Sequence, residues 1–119
     1  MQKTMIQIIN NIIPFKGFAA FNFFGLIFVR KDENVTKKIL NHESIHTEQM
    51  KETLFVLFYV IYLIEFLIRL LIRFDFTEAY FAVSFEHEAY FFQGDLEYLK
   101  RRSRYQWTKY IFTKNERKR

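Results

Sequence analysis

Leu40-Asn41-His42-Glu43-Ser44-Ile45-His46-Thr47-Glu48-Gln49 is the stretch on which the fold turns. At helical periodicity Ile39, His42, Ile45, His46, Gln49 and Met50 share one face, while Lys37, Lys38, Asn41 and Glu48 lie off it. His42 and His46 stand one turn apart and project from that face, so their imidazoles can converge on one tetrahedral ion. Glu43 is rotated by about 100° from His42 and points beside the ion, not at it. There it can take a proton from a water whose acidity a metal raises. A chance HExxH arises in roughly three of every thousand chains this long. Two of the chain's 3 His fall inside the motif, and it is read as a Zn2+ site.

Working outward, Asn34 or Thr36 caps this helix after the polar turn Lys31-Asp32-Glu33-Asn34, and the helix covers 36–53. Glycine and proline occur only at positions 14, 17, 25 and 94, so the middle of the chain reads as helical throughout. The front differs. Phe18 to Phe21 and Phe24 to Arg30 are short aromatic runs beside Gly17, Asn22 and Gly25, and they predict a small β-hairpin within 15–30. Behind the motif, 54–74 is an apolar helix whose only charges are Glu65, Arg69 and Arg73. Asp75 and Thr77 mark a break, a third helix covers 78–93, and a basic helix or tail occupies 95–119. The expectation is one domain over 1–119, α+β but mainly α, with the hairpin followed by three or four helices.

Composition excludes several classes. No Cys is present, which removes disulfide scaffolds, iron–sulfur clusters and a Cys nucleophile. Half of the 119 residues are hydrophobic, so disorder is not expected. The net charge of +5 resides in the tail, where nine Lys/Arg face Asp95, Glu97 and Glu116. That segment reads as a solvated basic helix with a frayed end, able to touch anionic lipid, and no specific nucleic acid is expected. Met1 to Asn10 makes a poor signal peptide, because Gln7 and Asn10 interrupt its apolar run and no small-residue cleavage site follows. A cytoplasmic or peripheral cytoplasmic-membrane location is the expectation. The Leu54–Phe74 helix is long enough to span a bilayer, but Glu65 and Arg69 inside it favour a buried or interfacial helix over a crossing.

A catalytic zinc site takes three protein ligands and keeps a fourth position open. Glu86 leads the candidates for the third ligand, because it sits on a separate helix that can return antiparallel to the first. Its neighbours Ala89, Tyr90 and Gln93 form one stripe with it, and the small Ala89 lets the helices approach. Glu65, Glu88 and His87 are the alternatives. An uninterrupted helix would carry Glu65 about 28 Å beyond His46, and Glu65 is better explained as the i,i+4 partner of Arg69.

With His42-Glu43-Ser-Ile-His46 followed by Ser84-Phe85-Glu86-His87-Glu88-Ala89-Tyr90, the chain resembles the gluzincin metallopeptidases. The likeness is to minigluzincins and to HtpX-like and CAAX-processing protease cores. It also resembles a set of short bacterial proteins over Asn41 to Gln49, Tyr59 to Arg69 and Ser84 to Tyr90. The resemblance implies a zincin-like core, His42, His46 and Glu86 as zinc ligands, and Glu43 as the catalytic base. It implies that Phe24, Gly25, Leu26, Ile27 and Phe28 lie on an edge strand along which a peptide or protein substrate aligns. The Asp that in those proteins follows four residues after the ligand Glu, where it orients a ligand His, is Tyr90 here. Tyr90, His87 and Tyr80 are the residues left to support the ligands or the transition state. Three readings follow: a zinc-dependent metallopeptidase, a zinc-binding protein without peptidase activity, and a membrane-surface interaction protein built on 54–74 and the tail.

Overall fold

The computed structural model describes residues 7–10, 20–30 and 36–111. The front of the expected hairpin, 15–19, the turn 31–34 and the tail 112–119 lie outside the described residues. The architecture is α+β and mainly α, with a small mixed sheet ahead of the helices.

Strand β1 (Gln7–Asn10) pairs parallel with β3 (Leu26–Arg30), and β2 (Ala20–Phe23) pairs antiparallel with β3. The β2–β3 turn is Phe24-Gly25, and both residues have positive φ, 52° and 92°, a conformation in which glycine carries no Cβ penalty. The sheet order is β1-β3-β2. Phe24 to Phe28 therefore do not form the edge expected from the sequence. Leu26 to Phe28 belong to the central strand, because β1 adds to its free side. The edge strand beside the helices is β2, which packs on α1 (Lys37–Glu52).

Helix α1 begins where the Thr36 hydroxyl accepts from the Ile39 amide at 3.2 Å, a side-chain N-cap. Asn41, placed off the inner face by periodicity, is fully buried. Its amide donates to the carbonyls of Phe92, Gln93 and Asp95. These are orphan acceptors at and beyond a helix end, so a polar residue is held inside by capping another helix.

Thr53, Leu54 and Phe55 turn the chain by 107° into α2 (Val56–Arg73). Of the two placements expected for this helix, buried or interfacial, full burial is not what is found. Phe58 is the only fully buried residue of α2, and the apolar side chains on its far side face outward. No single described helix is long and apolar enough to cross a membrane, although the bent pair α1 and α2 reaches that length together. Glu65 and Arg69 do pair, at 3.5 Å.

The expected third helix is two, α3 (Phe76–Ala82) and α4 (Ser84–Phe92), broken at Val83. No Gly or Pro causes the break. Glu65 reaches from α2 and accepts from both the Ser84 amide, at 2.9 Å, and its hydroxyl, at 2.7 Å. Those bonds start a new helix where the periodicity ran on. Met50, Phe58, Val83, Phe85 and Trp107 form the main core cluster, and Ile45, Ala89 and Tyr98 a second one between α1 and α4. Burial of such side chains contributes roughly 1.5–3 kcal/mol each.

The basic segment is not merely solvated. One turn of helix, α5 (Tyr98–Arg101), leads to Arg102, whose side chain is 5% exposed. Its guanidinium bonds Glu52 at 2.7 and 3.1 Å and Glu88 at 2.5 and 3.1 Å. A 3₁₀ turn, Gln106–Tyr110, then packs Trp107 against Phe85.

Candidate metal centre

His42 and His46 project from α1, and Glu86 comes from the first turn of α4, where the Asn41 cap and the Ile45–Ala89 contact hold the two helices together. The three side chains are buried. His42 Nε2 and His46 Nε2 lie 3.1 Å apart, and each is 3.2 Å from Glu86 Oε1. Together they could hold a metal ion.

The hydrogen bonds behind the histidines decide what those nitrogens present. Gln49 donates its amide to the Phe85 carbonyl at 3.1 Å and to Glu88 at 2.9 Å. Its Oε1 is thereby turned to His46 Nδ1, 2.7 Å away. An oxygen there accepts only, so His46 carries a proton on Nδ1 and turns Nε2 to the cluster. Gln93 Oε1 faces His42 Nδ1 at 2.9 Å in the same way. Two imidazole lone pairs and a carboxylate oxygen then meet, and a cation must lie among them, either a proton or a metal ion. Burial alone would lower the His46 pKa, but the Glu86 carboxylate overrides it and holds the ring up at about 9. Burial likewise pushes Glu86 upward, and His46 and His42 together overcome that and hold it below the usual carboxylate range.

Tyr62 reaches from α2 and donates to Glu86 Oε2 at 2.7 Å, leaving Oε1 for the cluster. Tyr90 sets its ring against His42, centroids 4.4 Å apart, and its hydroxyl lies 2.8 Å from that of Tyr80. His87 does not join the cluster. It stacks on Tyr110, 4.5 Å between centroids. Glu88 is fully buried but bonded to Gln49, Tyr98 and Arg102. Glu65 caps α4. Neither carboxylate is free to serve as the third ligand.

Glu43 borders two adjoining cavities, of about 380 and 440 Å³. The first is lined by His42, His46, Glu86, Tyr62 and Tyr80 together with Ala20 and Asn22 of β2. Burial raises the Glu43 pKa against the opposing pull of His46 and His42. Asn22 fixes the strand over the helix. Its amide donates to the Glu43 carbonyl and to the Thr47 hydroxyl, both at 2.8 Å. Tyr59 ties the hairpin to α2 by accepting from the Phe24 amide and donating to the Asn22 carbonyl. Of these, Tyr62 carried no signal in the sequence beyond being a polar group in an apolar run; Asn22 read only as a turn residue, Tyr59 only as the start of a resembling segment, and Gln93 as part of the Glu86 stripe. Gln49 carried one, three residues after His46 on the same face.

Comparison with family models, with curated proteins and with solved structures finds no match for the chain. The cluster itself is therefore what bears on function.

Proposed function

We propose that the ion is zinc and that the chain is a zinc-dependent peptidase-like hydrolase. The observation that carries the reading is the donor triangle. Its sides of 3.1–3.2 Å compare with ligand separations of about 3.3–3.4 Å for tetrahedral zinc with nitrogen and oxygen ligands. Three protein ligands beside a cavity suit a site with one open position better than a closed structural site, which takes four. No Cys competes, and two histidines with one carboxylate form a familiar hydrolytic donor set.

Zinc held there would polarise a scissile carbonyl and make water acidic. The protein's own residues would do the rest. Glu43, its pKa raised by burial, would accept a proton from the attacking water at its carboxylate and pass it to the leaving amine. Gln49 and Gln93 would hold both imidazoles in the tautomer that offers Nε2. Tyr80, which lines both cavities, would hydrogen-bond the substrate or the transition state. Strand β2 would align an extended peptide or protein substrate by β-augmentation. This role passes to β2 from the Phe24–Phe28 segment.

The test pairs Glu43→Gln with Glu86→Ala on protein purified without an affinity tag. Glu43→Gln should bind zinc at full stoichiometry and lose hydrolysis of casein or a peptide library. Glu86→Ala should lose both. Full hydrolysis by Glu43→Gln rejects the peptidase mechanism, and equal zinc content in wild type and Glu86→Ala rejects the site.

A further inference from the structure

We propose that the outward half of α2 is a membrane-docking surface whose partner is a lipid bilayer with anionic headgroups. Every exposed side chain between Val56 and Ile72 is Val, Leu or Ile. Leu63 is 57% exposed, Ile64 54%, Leu71 71% and Ile72 67%. These exposures amount to an apolar patch on the order of 900 Å², against 300–600 Å² for the largest patch of an ordinary monomer. The exposed Leu54, Phe74 and Phe76 extend it at both ends.

The width of the patch decides the partner. At 100° per residue the exposed apolar positions sweep about half the helix circumference. A second helix covers a narrower seam and is normally flanked by charged positions. Here the flanks of the exposed half carry no charge, because Glu65 and Arg69 are turned inward to Ser84 and to the Ile111 carbonyl. A second copy meeting this face through one helix would leave both flanks wet, whereas a hydrocarbon surface covers the half-cylinder at once. A helix lying in the plane of the membrane immerses about 5–10 Å, which would sink the exposed rows of α2 and leave the metal centre, on the inner side, above them.

Charge supports the same partner. Arg69 of α2 holds the Ile111 carbonyl, so the chain leaves the described residues alongside this helix. The next eight residues carry Lys114, Arg117, Lys118 and Arg119 against Glu116, and eight residues span at most about 29 Å. The basic sequence that follows Ile111 complements anionic headgroups in charge.

The experiment is co-sedimentation of the full chain with phosphatidylcholine–phosphatidylglycerol vesicles and with pure phosphatidylcholine vesicles, alongside analytical ultracentrifugation without lipid. Binding to both is expected, and tighter to the anionic ones. The double substitution Leu67→Glu and Leu71→Glu should lower partitioning by at least about 100-fold, with helicity and metal content unchanged because both side chains are exposed. Ile64→Ser is a milder second probe. Neutralising Lys114, Arg117 and Lys118 to Gln should weaken binding to anionic vesicles about 5-fold per charge and leave neutral vesicles unaffected. Absence of vesicle binding overturns the proposal, as does binding that the Glu substitutions leave intact. A stable dimer that those substitutions split, without vesicle binding, would assign the face to a second copy.

Discussion

Replacing Arg102 by Met leaves two carboxylates without their shared cation. The Arg102, Glu52 and Glu88 side chains are 5%, 8% and 0% exposed, and four hydrogen bonds join them. Breaking a buried pair by removing one partner costs about 3–5 kcal/mol, because the remaining charge has neither water nor a counter-ion. At about 0.05–0.15 kcal/mol per residue, a chain of this length has roughly 6–18 kcal/mol of stability to lose from. A loss of that size lowers the melting temperature by about 12–20 °C in a domain of this size. The assay is thermal and urea unfolding by circular dichroism after EDTA treatment, so that bound metal does not mask the change. Arg104→Met, at an exposed position, should cost under about 0.5 kcal/mol. Adding Glu52→Gln to Arg102→Met should recover part of the loss, since it removes one of the stranded charges. Equal effects of Arg102→Met and Arg104→Met would sink the reasoning and return the basic segment to a solvated helix. A second readout follows from connectivity. Glu88 holds the Gln49 amide, and Gln49 orients His46. Zinc affinity of the Arg102 variant, where it folds, should therefore fall about 10-fold.

Glu65→Gln should destabilise α4 and leave zinc stoichiometry unchanged, whereas Glu86→Ala abolishes it; elemental analysis of both variants separates the capping carboxylate from the ligand. Tyr62→Phe removes one hydrogen bond to Glu86 with almost no change in shape, and competition against a chelator should show zinc affinity about 10-fold weaker. In the metal-free protein His46 is held up at about 9, above its ordinary 6.5. Its contribution to stability is complete below about 6.5 and is lost as pH rises through 9. Glu86 is depressed, so its contribution is present above its ordinary 4.5 and is lost as pH falls. EDTA-treated protein should thus be most stable between about pH 5 and 7, and urea titrations across pH check it. Zinc loading at pH 7 should release about one proton, because His46 must give up its Nε2 proton to ligate. Calorimetry in buffers of different ionisation enthalpy measures that number, and a release near zero would contradict a protonated His46.

The sequence by itself determined what is local. His42, Glu43 and His46 lie one turn or less apart on a helix with no breaker. The histidine pair and its helix therefore follow from α-helical geometry alone, and so does the Thr36 cap. The missing Cys left His and carboxylate as the candidate metal ligands, and the shortage of Gly and Pro left the middle helical. Glu86 was legible as a leading candidate, but its choice over Glu65 and Glu88 was not. That decision belonged to the partners each carboxylate meets: the Ser84 amide for Glu65, Arg102 and Gln49 for Glu88, and the two imidazoles for Glu86. The break at Val83 was hidden for the same reason, because its cap comes from a helix 19 residues away. The central place of β3 was hidden because strand order depends on which edge β1 adds to, which residue type does not encode. The two-sided character of α2 was hidden as well. A helix that is apolar all round looks uniform in sequence, and only packing decides which half meets the core and which is left facing outward.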